Sequence, residues 1–191
     1  MIIGIIPTIR EIYTNQFEFC FDIRLHKFLK TINKNCKIKI LTEIKNIKFD
    51  LLCLAGGNDI KDKSKKAIIR NKLDSYYYLN AKRKGLPILG ICHGAQFIAK
   101  KEGARIVFKK QRIKKHKIYS KKKYLNNKIV NSYHNLLINK LSSNMEKVAF
   151  DGDKNIECFK IKNSRILGII WHPERYKNFK VSDIRLIKEI L

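Results

Sequence analysis

Gly85-Leu86-Pro87-Ile88-Leu89-Gly90-Ile91-Cys92-His93-Gly94-Ala95-Gln96 is the stretch of sequence that decides the fold. The apolar run 86–91 is typical of a buried strand in a parallel sheet, and a helical pattern follows at once. A glycine two residues before Cys92 and another two residues after it predict a strand–turn–helix elbow, because such a tight turn tolerates no side chain on either flank. The helix N-terminus then favours a thiolate at Cys92. A buried structural cysteine is the alternative, and the motif alone leaves both open.

A second motif, Trp171-His172-Pro173-Glu174, follows the apolar run 166–170. A cysteine nucleophile needs a nearby base, and the base needs a third group that fixes its tautomer and orientation. His172 and Glu174 lie two residues apart at the end of a predicted strand, so in extended geometry both side chains point to the same side of the backbone. Cys92, His172 and Glu174 are therefore the candidate catalytic residues.

The two motifs together resemble those of the class I glutamine amidotransferases, in particular the branch of stand-alone γ-glutamyl hydrolases. Three further segments agree in order along the chain. Leu-Ala-Gly-Gly-Asn-Asp at 54–59 resembles the oxyanion loop, Asn-Ser-Tyr-His at 131–134 resembles the segment that lines the glutamyl pocket, and 149–158 resembles the strand pair leading to the catalytic histidine. The resemblance implies one catalytic domain over residues 1–191, in which cysteine-dependent hydrolysis of a γ-glutamyl amide releases glutamate through a thioester.

The family's site residues carry over onto matching positions of this sequence. The resemblance makes the N–H groups of Gly57 and His93 the oxyanion hole, and it implies a set of substrate-binding residues: Gly56, Asn58, Gln96, Ser132, Tyr133 and His134. Three positions depart from the family pattern: His93, Asn135 and Leu136. His93 stands where Gly, Arg or Leu is common, and many of these hydrolases carry a glutamine two residues after the histidine at 134.

Strands and helices alternate in the first half of the chain, which predicts an α/β fold with an open, mostly parallel sheet and ligands at the carboxyl ends of its strands. We expect a flavodoxin-like sheet with helices on both faces and a small antiparallel addition in the second half. Strands are predicted at 2–6, 37–42, 49–55, 86–91, 128–131, 147–150, 156–161 and 165–171. Helices are predicted at 16–33, at 64–84 with Ala67, Ile68, Leu73, Tyr77 and Leu79 partly inward, and at the end of the sequence with Ser182 as cap.

A strongly basic balance, 42 Lys and Arg against 16 Asp and Glu, gives a net charge of +26. Such a field attracts anions of any kind. Within the basic segment 109–123, Lys114, Lys115 and Lys117 are candidate phosphate-binding residues for a nucleotide-linked γ-glutamyl substrate, with Lys109, Lys110 and Arg112 beside them. A solvated hairpin without a ligand is the alternative.

Five cysteines without a CxxC pair argue against a disulfide framework and fit a cytoplasmic protein. Cys53 and Cys158 lie in apolar patterns and are expected to be buried. The spacing of Cys and His predicts no metal site, and no cofactor or membrane segment is expected.

Two other functions compete with the stand-alone hydrolase. One is a glutaminase subunit that passes ammonia to a separate synthetase chain. The other is a basic nucleic-acid-binding protein without catalysis, which the charge favours but which no base-stacking motif supports.

Overall fold

A computed structural model describes residues 1–109 and 114–191, and for Lys114 it describes the backbone only. Lys110 and Arg112 therefore lie outside the described residues. The strands are β1 (Ile2–Ile6), β2 (Thr8–Tyr13), β3 (Gln16–Cys20), β4 (Lys37–Ile40), β5 (Leu51–Leu54), β6 (Ile88–Ile91), β7 (Arg105–Phe108), β8 (Lys114–Tyr119), β9 (Ile129–Ser132), β10 (Leu136–Lys140), β11 (Met145–Asp151), β12 (Ile156–Ile161) and β13 (Ile166–Ile169). The helices are α1 (Ile23–Ile32), α2 (Lys65–Arg83), α3 (His93–Lys101) and α4 (Val181–Lys188).

The central sheet runs in the order β4-β1-β5-β6-β13-β12-β11-β8-β9. Its first five strands are mutually parallel, and β12, β11, β8 and β9 extend it in antiparallel fashion. A second branch, β10 with β7, joins through β12. The predicted parallel sheet with an antiparallel addition is confirmed. Because β6 and β13 are parallel neighbours, their carboxyl ends deliver Cys92 and His172 to the same edge.

Helices cover both faces of this sheet. The apolar sides of α1 and α4 pack on one face through Leu25, Phe28 and Leu186. The other face is covered by α2 and α3, with Tyr77 and Ile98 in its core. Burying both faces explains why the parallel strands read as continuous apolar runs. Within residues 1–109 and 114–191, no helix combines the length and the apolar character needed to cross a membrane.

The predicted helix over 16–33 is wrong in its first part. Residues 16–20 alternate in polarity and form β3, which pairs antiparallel with β2 across a turn that has Asn15 at φ 63°. The helix begins only at Ile23, where the Asp22 carboxylate accepts a hydrogen bond from the Arg24 N–H at 2.8 Å. The β2–β3 hairpin follows β1 directly and therefore lies at the carboxyl edge of the sheet.

Two further expectations about helices are corrected. On α2, Ile68 and Leu79 are exposed, because the inward stripe takes Arg70 and Asp74 instead. Ser182 lies inside α4, whose N-cap is Lys180, and its hydroxyl is bonded to the Lys128 ammonium at 2.9 Å. The predicted burial of Cys53 and Cys158 is confirmed.

Candidate active site

The elbow with the candidate nucleophile, Cys92, lies between β6 and α3. Cys92 has φ 50° and ψ −102°, a backbone conformation that L residues rarely adopt. A Cβ on Gly90 would lie 2.7 Å from a backbone nitrogen of α3, and one on Gly94 would lie 2.0 Å from a backbone oxygen of β5. Both glycines are therefore required by close backbone approach, as the sequence predicts. The Cys92 N–H donates to the Ile169 carbonyl at 2.8 Å, which ties the elbow to β13.

The candidate base, His172, follows β13 closely. His172 Nδ1 lies 2.6 Å from Glu174 Oε1, and both side chains are buried. The expectation that 172–174 are extended is wrong, because Pro173–Arg175 form a single 3-10 turn. The turn nevertheless places the carboxylate against the imidazole. Asn131 fixes the backbone, since its amide accepts from the His172 N–H at 2.8 Å and donates to the His172 carbonyl at 2.9 Å.

Cys92 and His172 are in contact. A Cβ on Gly56 would lie 2.6 Å from His172 Cε1 and 3.6 Å from Cys92 Cβ, so the three residues meet at one point. Burial lowers the pKa of His172, but the Cys92 thiolate, its hydrogen bond to the ring and Glu174 outweigh burial and raise this pKa to about 9. The imidazole of His172 is therefore protonated at neutral pH and lies against the sulfur of Cys92, an arrangement typical of an activated cysteine nucleophile.

The loop after β5 is tied to the hairpin. Thr8 donates its hydroxyl hydrogen to the Gly56 carbonyl at 2.8 Å. The Asn58 side-chain oxygen accepts from the Ile9 N–H at 3.1 Å, and its NH₂ donates to the Ile9 carbonyl at 2.8 Å. Gly57 has φ +133°, and a Cβ there would lie 2.2 Å from Thr8 Oγ1. These hydrogen bonds fix the loop to β2, and both polar groups of the Asn58 side chain take part in them.

Residues 131–134, the candidate glutamyl segment, lie beside α3 together with the start of β10. Gln96 is buried, and its amide donates to the Leu136 carbonyl at 3.0 Å. His134 Nδ1 lies 2.9 Å from the same oxygen. Burial lowers the pKa of His134 to about 4, so the ring is neutral at neutral pH and Nδ1 is the donor. Ser132 is also buried. These contacts fix the position of residues 132–136 beside the elbow.

Tyr133 borders the candidate base from the solvent side. Its ring stands edge-on to the His172 ring with centroids 5.5 Å apart. The Arg175 guanidinium stacks on the Tyr133 ring, 4.7 Å from its centroid. Arg175 also joins Glu174 in lining a small cavity of about 50 Å³ next to His172. A cation and an aromatic ring therefore frame the approach to the imidazole.

The basic strand β8 runs beside β9. Lys114 is in register with Ser132 and Lys115 with Asn131, the residue that holds His172. Lys115 and Lys117 are exposed, whereas the intervening His116 turns inward and lies 3.3 Å from Glu157 Oε1. The lysines thus lie on the strand next to β9, which carries Asn131. Over the described part of the chain, no group of three or more His, Cys, Asp or Glu side chains is arranged to hold a metal ion.

Comparison with known proteins identifies the family. The family model for class I glutamine amidotransferases matches residues 23–184. This chain belongs to the class I glutamine amidotransferase family. Gamma-glutamyl-CDP-amidate hydrolase from Campylobacter jejuni is 35% identical over an alignment of 140 residues that covers 71% of this chain and 66% of that protein. Anthranilate synthase component 2 from Helicobacter pylori is 32% identical over an alignment of 101 residues that covers 48% of this chain and 50% of that protein. The match thus spans less than two thirds of the length of either relative.

Solved structures of amidotransferases share the fold. A glutamine amidotransferase from Thermotoga maritima superimposes with a TM-score of 0.71 at 17% identity, covering 98% of this chain and 82% of its own. A protein from Thermoplasma acidophilum, described as belonging to GMP synthase, gives 0.70 at 23% identity, covering 100% and 93%. At such identities the likeness establishes the fold, which is that of the class I glutamine amidotransferases.

Several residues around the site could not be predicted from the sequence. Asn131 belongs to a recognisable motif, but the motif does not predict its clamp on the His172 backbone. Arg70 and Asp74 stand in no motif, although a signal exists. Positions 67, 70, 74 and 77 are spaced three, four and three residues apart, as residues on the buried side of a helix are. This spacing places Arg70 and Asp74 on the same inward side as Ala67 and Tyr77.

Proposed function

We propose that this chain is a cysteine-dependent hydrolase that cleaves a γ-glutamyl amide bond and releases glutamate through a thioester intermediate, with residues 1–191 as one catalytic domain. The observation that carries the proposal is the contact series from Glu174 through His172 to Cys92 at the elbow. A thiolate depends on a reducing environment, which favours the cytoplasm.

The reaction begins with attack of the Cys92 thiolate on the γ-carbonyl carbon. The carbonyl electrons move to oxygen, and the N–H groups of Gly57 and His93 are proposed to hold this oxyanion. Collapse of the intermediate expels the nitrogen, which takes its proton from protonated His172 and leaves a thioester. The now neutral His172 accepts a proton from water as the water attacks the thioester, and the thiolate departs from the second tetrahedral intermediate. Glu174 keeps the imidazole oriented throughout.

The test is glutamate release from a panel of γ-glutamyl conjugates, measured with wild type and with Cys92→Ala. We expect turnover by wild type alone and none by the variant. Glu174→Gln should retain weak activity, because it leaves the nucleophile and the imidazole in place. Equal release by wild type and Cys92→Ala would refute the role of the thiolate.

For the leaving group we propose a nucleotide carrying a diphosphate, as in γ-glutamyl-CDP-amidate, which would yield cytidine diphosphoramidate for capsule synthesis. The relative from Campylobacter jejuni carries this substrate in its name. The lysines of β8 lie one strand from the glutamyl segment and offer cations for phosphate oxygens. Lys115 and Lys117 share the exposed face of that strand, and Lys114 completes the proposed set.

A charge-reversal experiment separates this leaving group from others. Lys115→Glu/Lys117→Glu should raise KM for a nucleotide-linked γ-glutamyl amide and leave KM for a neutral γ-glutamyl amide unchanged. Lys84→Glu/Lys100→Glu makes the same change of charge at exposed positions, at the end of α2 and on α3, and serves as the control. If both double variants raise KM equally, the effect is one of net charge and β8 has no special role.

A glutaminase subunit that delivers ammonia to a separate synthetase chain is the second candidate. The similarity to anthranilate synthase component 2, over half of that protein, favours it. Activity without a partner distinguishes the two. A hydrolase turns over by itself, whereas a subunit that depends on its synthetase would release no glutamate from any conjugate until the partner is added.

A further inference from the structure

A buried ion pair lies directly behind the proposed oxyanion loop. Arg70 Nε lies 2.9 and 3.0 Å from the two Asp74 carboxylate oxygens, and both side chains are fully buried. The guanidinium also donates to the Pro7 carbonyl at 2.6 Å and to the Ala55 carbonyl at 2.8 Å. One side chain of α2 thus contacts the start of the hairpin and the residue that precedes the Gly56-Gly57 turn.

The same ion pair reaches the elbow through His93, the residue next to Cys92. His93 Nε2 lies 2.9 Å from Asp74 Oδ2, and His93 Nδ1 lies 2.5 Å from the Asn58 carbonyl. A carboxylate and a carbonyl are both acceptors, so this geometry is satisfied when both ring nitrogens carry a hydrogen. The side chain is 2% exposed, so these two contacts are made away from water.

We propose that Arg70, Asp74 and His93 are positioning residues that hold the two oxyanion donors, the N–H groups of Gly57 and His93, in fixed relation to each other. The loop is gripped on one side of Gly57 at the Ala55 carbonyl and on the other side at the Asn58 carbonyl. The inference rests on the proposed thiolate mechanism, since an oxyanion hole has a role only if that oxyanion forms.

Stability alone does not account for such a cluster. Ion pairs of this kind contribute little to stability, because the loss of hydration offsets the attraction between the charges. Burial by itself raises the pKa of Asp74, yet Arg70 and His93 reverse this and keep the carboxyl ionised. An ionised carboxylate that holds both Arg70 and His93 instead fixes α2, the loop and the elbow relative to one another.

The test uses Asp74→Asn, which keeps the volume but cannot accept from Arg70 and His93 as a carboxylate does. With γ-glutamyl-p-nitroanilide we expect kcat to fall about 10²-fold, the usual cost of impairing one oxyanion donor, while KM changes little. Alkylation of Cys92 by iodoacetamide should keep its wild-type rate, because that displacement forms no oxyanion. His93→Gln, which retains one donor, should lie between wild type and Asp74→Asn.

Glu102→Gln is the matched control. Glu102 accepts from Tyr78 of α2 at 2.5 Å and follows the last residue of α3, so it joins the same two helices at the end remote from Cys92. Its kcat should equal that of wild type. The inference is overturned if Asp74→Asn keeps the wild-type kcat, or if its alkylation rate falls as far as its kcat, which would indicate general disruption.

A readout without turnover separates this inference from the proposed function. Amide hydrogen exchange at Gly57 and His93 should be faster in Asp74→Asn than in wild type and unchanged in Glu102→Gln. If wild type hydrolyses no γ-glutamyl amide, the proposed function fails, but unchanged exchange in Asp74→Asn would overturn the positioning role by itself.

Discussion

Gly56→Ala tests whether the candidate base must stay where the structure places it. The new methyl carbon would lie 2.6 Å from His172 Cε1, and ordinary carbon–carbon contacts lie at about 3.5 Å or more, so the imidazole must move by about 1 Å. The methyl would also sit 3.6 Å from Cys92 Cβ, an ordinary contact, so the displacement falls on the base and not on the nucleophile.

A misplacement of about 1 Å between reacting groups costs on the order of 10²-fold in rate, which is about 2.7 kcal/mol of transition-state stabilisation. We therefore expect Gly56→Ala to lower kcat for γ-glutamyl amide hydrolysis by about that factor. The variant should still fold, because Gly56 does not have a positive φ and its backbone accommodates alanine, but Tm should fall somewhat because a buried imidazole is displaced.

Gly152→Ala is the matched control, since a Cβ there meets no atom within 4 Å and should leave kcat unchanged. Wild-type kcat in Gly56→Ala, with a crystal structure showing the imidazole displaced, would refute the argument that the resting position of His172 determines the rate.

Three further predictions concern the carboxylate, the buried ion pair and the elbow. Glu174→Gln removes a group that raises the pKa of His172, so the alkaline fall of kcat/KM should move from near pH 9 to lower pH, as measured by a pH–rate profile. An unchanged profile would mean that Glu174 does not raise the pKa of His172. Arg70→Met leaves Asp74 buried and without its arginine partner, and we expect a loss of about 3–5 kcal/mol of unfolding free energy in urea. Gly94→Ala places a methyl group 2.0 Å from a backbone oxygen and should therefore lower Tm. An unchanged Tm would mean that the backbone of the elbow can shift away from β5 at little cost in free energy.

The parallel part of the fold could be predicted from the sequence because strands buried on both faces are short continuous apolar runs. β5, Leu-Leu-Cys-Leu, and β6, Ile-Leu-Gly-Ile, are of this kind and are entirely buried. β7 and β10 could not be predicted in this way. The ends of β7 are exposed, and two of the five residues of β10 face solvent, so neither has a pattern that separates it from a loop.

The β2–β3 hairpin escapes prediction for a different reason. Phe17 and Phe21 continue the helical spacing of the true helix α1, and this chance agreement extends the predicted helix across Asp22. Periodicity alone does not mark a helix boundary when apolar residues outside the helix happen to continue its spacing. The local signal for the true start of the helix is its N-cap residue, Asp22.

For the candidate site, spacing predicts which residues meet but not what surrounds them. Glycines at 90 and 94 identify the elbow, since a backbone that close to its neighbours excludes every Cβ. Charges on a helix usually face solvent, so Arg70 and Asp74 give no sign by residue type that they are buried against the loop. Their role emerges only when the loop, the hairpin and the elbow are placed together.

The position of β13 between β6 and β12 has a consequence for biosynthesis. Ribosomes complete β6 and its thiol long before they reach β13, so the growing polypeptide carries an open, wholly apolar strand edge during that interval. Insertion of β13 closes this edge and brings the imidazole to the sulfur in the same event. A nascent chain arrested before that point would therefore expose an apolar strand edge prone to aggregation and would lack the imidazole beside the sulfur.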